Sequence, residues 1–194
     1  MKIILGSASP RRKEILSFFS LPFEQGSPTF DERSLLFGGD PEAFVNEMAE
    51  KKALSLAGKY KDPILTADTI VFCHNKVYMK PRNEKEAFQM LKELSGNTAE
   101  VYTGVCVYYQ GKARVKAAVS KITFQDLTDD EINRYHDKFD CYDRAGGFYI
   151  QKAGSIIIKE IKGCFYNIMG LPINTVKELL MEIGIDLWDY LLPE

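Results

Sequence analysis

Histidine, tryptophan and cysteine are scarce in this chain: two, one and four respectively among 194 residues. Cys73, Cys106, Cys141 and Cys164 form no CxxC pair and have no histidine pair nearby, so neither a zinc ribbon nor a disulfide framework is expected. They read as small apolar residues of a reducing compartment. His74 reads as a turn residue and His136 as a helix-surface residue, and neither has a motif partner for nucleophilic catalysis. No apolar run is long enough to span a bilayer, and Met1–Gly6 is too short for a signal peptide, so a cytoplasmic protein with no membrane partner is expected. A basic excess is also missing: the net charge is −2, which argues against coating nucleic acid. P-loop, GxGxxG, internal-repeat and low-complexity signals are absent. What is present, 45% hydrophobic and 27% charged residues, suits one globular domain over 1–194. A chain this long buries a core without disulfides or metals.

The hydrophobic patterning predicts a strand at 2–5, then a helix with Ser9 as N-cap and Pro10 at its first position. Asp40 and Pro41 start a second helix in the same way, with Gly58 ending it. Strands are predicted at 63–73 and 76–79 around a His74-Asn75 turn, with an Asn83/Glu86 capping box opening the next helix. Long strands at 99–109 and 113–125 meet at Gln110-Gly111, and Thr128 with Glu131 caps a short helix. Residues 147–151 and 155–161 look strand-like, Lys162-Gly163 looks like a hairpin turn, and the last helix covers 173–183. Trp188, Tyr190 and Leu191 are expected to cover the core. The order β-α-α-β-β-α-β-β-α-β-β-α mixes crossovers with hairpins, so an α/β fold with a mixed, twisted sheet flanked by helices is expected.

Six segments could carry chemistry. Gly6-Ser7-Ala8-Ser9-Pro10-Arg11-Arg12 puts two hydroxyls and two guanidiniums at a strand-to-helix turn. Cations oppose the dipole at a helix N-terminus, a local conflict that a bound phosphate would resolve. The plain alternative is a Ser9 cap followed by solvated arginines. Asp68 interrupts the apolar run Thr66–Val71, where an unpaired carboxylate is costly; it is a candidate general base or Mg²⁺ ligand, or else a structural acid. Asp31-Glu32 is a loop pair that could share a metal, and of Lys51 and Lys52, about a third of a helical turn apart, at most one faces a given site. Lys80, held extended by Pro81, and Gln151, whose amide can read a base edge, complete the candidates. The Asp143–Gly147 turn before Gln151 allows close backbone approach.

In order and spacing the sequence resembles the Maf family of nucleoside triphosphate pyrophosphatases over nearly its whole length. The matching blocks are Ser7–Arg12, Ala67-Asp68-Thr69, Lys80-Pro81, Leu94-Ser95-Gly96, Val101–Val105, Ala145-Gly146, Ile150-Gln151 and Asn167–Pro172. The resemblance implies an elongated mixed sheet in two lobes with a central cleft, as in inosine-triphosphate pyrophosphatases. It implies hydrolysis of a nucleoside triphosphate to the monophosphate and pyrophosphate, a divalent cation (Mg²⁺ or Mn²⁺), a cytosolic setting and the occurrence of homodimers. Carried over by position, Asp68 is the catalytic acid. Ser7, Ser9, Arg11 and Arg12 form the phosphate turn, Glu32 a metal and phosphate acid, Lys52 the helix lysine and Lys80 the cleft lysine. Arg11, Thr69 and Gln151 bear on substrate choice. Asp68-Thr69 and Ile150-Gln151 look like the branch acting on dTTP and UTP; the alternatives are a modified purine such as 7-methyl-GTP, or a non-catalytic regulator of cell division. The chain departs from the pattern at Gly6 (alanine is usual), Thr66 (glycine is usual), Arg144 (lysine is usual), and Tyr149 and Lys152, where glycines usually flank Ile-Gln.

Overall fold

The computed structural model describes residues 1–139, 141–142 and 144–192; Asp143 of the expected glycine turn lies outside them. Among the described residues, seven strands and six α-helices follow the chain as β1 (Ile3–Leu5), α1 (Pro10–Leu16), β2 (Phe23–Gln25), α2 (Pro41–Leu54), β3 (Ile64–Cys73), β4 (Lys76–Tyr78), α3 (Glu84–Leu94), β5 (Thr98–Tyr109), β6 (Lys112–Phe124), α4 (Asp129–His136), β7 (Ile158–Lys162), α5 (Phe165–Ile168) and α6 (Ile173–Met181). The strands form one mixed sheet in the order β2-β1-β3-β5-β6-β7, with β4 on β3. β1 runs parallel to β2 and β3, while the β3–β4 and β6–β7 pairs are antiparallel. The expected mixed sheet flanked by helices is therefore present. No helix among the described residues is long and apolar enough to cross a membrane.

The chain divides into two compact units. The first comprises Met1–Asp68, Thr103–Ala118 and the stretch from Met169; the second comprises Thr69–Tyr102 and Val119–Ile168. In the first, Ile4 and Ile64 from the parallel strands meet Ala49, Ala53 and Leu56 from α2 and its exit, with Cys106 from β5. Asp40 accepts from the amides of Glu42 and Ala43, so α2 starts as its sequence predicts. Gly104 lets β5 lie directly on that helix: a Cβ there would sit 2.2 Å from the carbonyl oxygen of Val45. In the second unit, Phe124 and Phe148 meet edge to face at 5.1 Å, and buried Asn167 donates to the Val101 carbonyl and the Ser120 hydroxyl.

Several expectations need correction. β2 is an addition, a short edge strand whose exposed residues give no hydrophobic alternation to detect. Helix α2 ends at Leu54, not at Gly58, because Ser55 closes it and turns the Ser55 hydroxyl back to the Lys52 carbonyl. Asn83 caps Glu86, but the Glu86 carboxylate goes to the Arg82 amide, so the capping box is half formed; at Thr128 and Glu131 it is complete. Residues 147–151 are not a strand. Gly146, Gly147 and Lys152 all have positive φ, and the amide and carbonyl of Tyr149 are bonded to the Tyr135 hydroxyl, leaving that residue no ladder groups. Strand β7 therefore starts only at Ile158, and Gly163 leads into α5, not into a hairpin. At the C-terminus Ile185 and Leu187 are buried, whereas Trp188 is 67% exposed and Leu191 is also exposed.

Candidate active site

The turn after β1 is shaped by contacts between side chains and backbone. Ser9 occupies the N-cap position of α1, but its side chain makes no cap hydrogen bond; its amide instead donates to the Ser7 hydroxyl at 3.2 Å. Arg12 also donates to that hydroxyl, through Nη1 at 3.3 Å, and its Nε donates to the Gly170 carbonyl at 2.8 Å. The Arg12 guanidinium is thus aimed by two fixed acceptors and is not simply a solvated side chain of the first turn. Gln25 of β2 donates to the Ser7 carbonyl at 3.0 Å. Helix α1 has only seven residues, so hydroxyl and guanidinium groups, more than a long helix dipole, make this turn suited to an anion.

Two departures from the family pattern explain each other. A Cβ on Gly6 would lie 2.6 Å from Cγ2 of Thr66. The Thr66 methyl therefore fills the space that an alanine at position 6 would need, and a glycine at 66 would empty it. The Thr66 hydroxyl is satisfied by the Ala49 carbonyl at 2.6 Å, which ties β3 to α2 one turn from Lys52.

Asp68 is 6% exposed and lies in β3. Lys52, equally buried, donates to its Oδ1 at 2.6 Å. The same ammonium lies 3.0 Å from Oε1 of Glu32, which comes from a short 3₁₀ turn. Lys51 instead points outward to Glu47, which settles which of the two lysines faces the site. Asp31 spends its carboxylate on the Arg33 amide, so of the loop pair only Glu32 joins the cluster. Burial pushes the Asp68 carboxyl above the ordinary carboxylate range; the charge and hydrogen bond of Lys52, and then the charge of Arg12, oppose that rise. Oδ2 of Asp68 is buried with no hydrogen-bond partner among the described residues. A raised carboxylate with one open oxygen, next to a shared lysine, can take a proton or hold a cation.

The first unit thus brings together Ser7, Arg12, Glu32, Lys52 and Asp68. Arg11 is half-buried in the first turn of α1. Thr69, Lys80 and Gln151 belong to the second unit: Thr69 is half-buried in β3, Lys80 is exposed after β4, and Gln151 is half-buried before a 3₁₀ segment at Lys152–Ile157. Gly170 and Gln25 are site-shaping residues that sequence reasoning missed. Gly170 was visible only as a glycine in the Asn167–Pro172 block, and its φ of +99° turns its carbonyl as no other residue would easily allow. Gln25 sits on the undetected edge strand. Among the described residues no group of three or more His, Cys, Asp or Glu side chains is placed to hold a metal ion.

"dTTP/UTP pyrophosphatase" of Chlamydia felis is 45% identical over 193 residues, covering 98% of both chains. A protein of the same name from Chlamydia trachomatis serovar L2 is 40% identical with the same coverage. A solved structure titled nucleoside-triphosphatase / dITP/XTP pyrophosphatase, from Mycobacterium abscessus, aligns with a TM-score of 0.44 at 14% identity, over 66% of this chain and 76% of that one. The family model described as Maf-like protein matches residues 2–183. With its family blocks in order and a family match running through nearly its whole length, the chain belongs to the Maf-like proteins.

Proposed function

We propose that this protein hydrolyses nucleoside triphosphates, dTTP and UTP foremost, to the monophosphate and pyrophosphate. The observation that carries the reading is Asp68: a buried carboxylate with one oxygen held by Lys52 and the other open, in the same unit as the Ser7–Arg12 turn. The names of the full-length relatives support the choice of bases.

In this mechanism Ser7, Ser9, Arg11 and Arg12 bind phosphate oxygens, and Lys52 neutralises further charge. Asp68 accepts a proton at Oδ2 from water as its oxygen forms a bond to the α-phosphorus; the bond from that phosphorus to the bridging oxygen breaks and pyrophosphate leaves. Positioning and charge stabilisation supply most of the acceleration. Glu32, whose carboxylate is half exposed, would hold a divalent cation, Mg²⁺ or Mn²⁺, together with the substrate, while Oδ2 of Asp68 stays the proton acceptor. Such an ion would supply charge neutralisation on the triphosphate. Thr69 and Gln151 as base selectors, and Lys80 as a further phosphate partner, rest on the family pattern alone. So do a cytosolic setting, homodimer formation and a single catalytic domain.

The test is pyrophosphate release across a nucleotide panel with Mg²⁺, Mn²⁺ and Co²⁺ each supplied. Preference for dTTP and UTP supports the reading. Preference for 7-methyl-GTP or another purine overturns the base choice, and tight calorimetric binding without release replaces the enzyme with a nucleotide-binding regulator.

A further inference from the structure

The Tyr135 hydroxyl is buried in the second unit and used entirely on one short segment. It accepts from the Tyr149 amide at 2.8 Å and donates to the Tyr149 carbonyl at 2.7 Å, with the Gly154 carbonyl also in reach at 3.2 Å. Both ends of the stretch 149–154 therefore converge on one oxygen, and Gln151 lies between them. Gly154 makes the closure possible: a Cβ there would fall 2.4 Å from Cδ1 and 2.5 Å from the carbonyl oxygen of Tyr149. The Tyr149 ring is clamped as well. Phe139 stacks on it at 5.6 Å with an interplanar angle of 13°, and the Arg144 guanidinium carbon lies 4.1 Å from the ring centroid. Tyr149 and Lys152 replace the glycines usual beside Ile-Gln, so this chain restrains by contacts a segment that glycines would leave loose.

We propose that Tyr135 is a positioning residue for nucleotide selection: its hydroxyl latches residues 149–154 and so fixes where the Gln151 amide is presented. The proposal deepens the base-reading role given to Gln151 and rests on it. Helix α4 is a stable mount for the latch, since the Thr128/Glu131 capping box fixes its start. The hydroxyl stays protonated, and so remains a donor, because burial pushes its pKa well up. Removing it leaves a buried amide and two carbonyls to find other partners, so the segment shifts or loosens.

The experiment compares Tyr135→Phe, Gly154→Ala and Gln151→Ala with the parent enzyme, by kcat and KM for dTTP and GTP, with a thermal melt on each. Tyr135→Phe is expected to raise KM for dTTP and to lower the dTTP-over-GTP ratio of kcat/KM by about tenfold, while kcat changes far less. A merely destabilised enzyme would lose kcat through loss of folded molecules, with KM and the ratio unmoved. Gly154→Ala, which keeps the hydroxyl but forces Tyr149 and residue 154 apart, is expected to move the same two quantities and carries the test if Tyr135→Phe does not fold. A ratio altered in Gln151→Ala but unchanged in a folded latch variant overturns the latch alone. A ratio unchanged in Gln151→Ala and the latch variants alike overturns the base-reading role, and the latch with it.

Discussion

Asp68 is charged where burial disfavours charge, and the residues around it decide how far that matters. Asp68→Asn is expected to lower pyrophosphate release by at least about 10³-fold while calorimetry still detects nucleotide binding. Near-normal turnover would remove Asp68 as the base. The pH dependence follows from the direction of its shift. A base works deprotonated, and burial raises its pKa, so activity should fall on the acid side at a pH above that of an ordinary aspartate. Lys52 works against that rise, so Lys52→Met should move the acid limb to higher pH still, and weaken the fold by about 3 kcal/mol by leaving a buried carboxylate unpaired. A pH–rate profile with a parallel urea titration checks both. At this scale the sequence marked Asp68 because an acid inside an apolar strand is costly, and the structure shows it buried against Lys52. Helix periodicity left Lys51 and Lys52 unresolved, and only the family pattern picked Lys52, because neighbours on a helix differ only in direction, and direction has meaning only against a packed neighbour.

Between elements, Gly6 and Thr66 behave as one unit across the β1–β3 and β3–α2 contacts. Gly6→Ala alone presses a methyl into Thr66, and Thr66→Gly alone opens a space and loses the hydroxyl bond from β3 to the Ala49 carbonyl. The double variant removes the contact with the Thr66 methyl and leaves only the end of the Leu56 side chain to shift, so its melting temperature should lie above the value expected from adding the two single losses, with a coupling of about 1 kcal/mol in a double-mutant cycle. Strict additivity would mean the two sites are independent. The helix starts at Asp40 and Thr128 were legible because a cap is a local bond between neighbours in sequence. Residues 147–151 misled because apolar alternation near a glycine pair resembles a strand, whereas the amide and carbonyl of Tyr149 bond to a tyrosine on α4. The edge strand β2 escaped for the opposite reason: its pairing with β1 stabilises a segment with no pattern of its own.

Across the whole molecule there is no disulfide, and the four cysteines are free. Cys73, Cys106 and Cys141 are buried, and burial pushes the Cys106 thiol up to about 12. A reducing agent should therefore leave the melting temperature unchanged, and a thiol reagent should label Cys164 first and the other three only on unfolding. Rapid labelling of Cys106 in the folded protein, followed by mass spectrometry, would contradict the packing. The chain's own pattern determined the main helix starts and the long central strands, and it marked the Ser7–Arg12 turn and Asp68 as places where charge sits at a local cost, since capping, periodicity and the cost of a buried charge all act within a few residues. Only the tertiary structure decided that Lys52 joins Asp68 to Glu32, that Gly170 and Ser7 aim Arg12, and that Tyr135 closes the segment around Gln151. Those contacts join parts of the chain far apart in sequence, and only packing can set their distances.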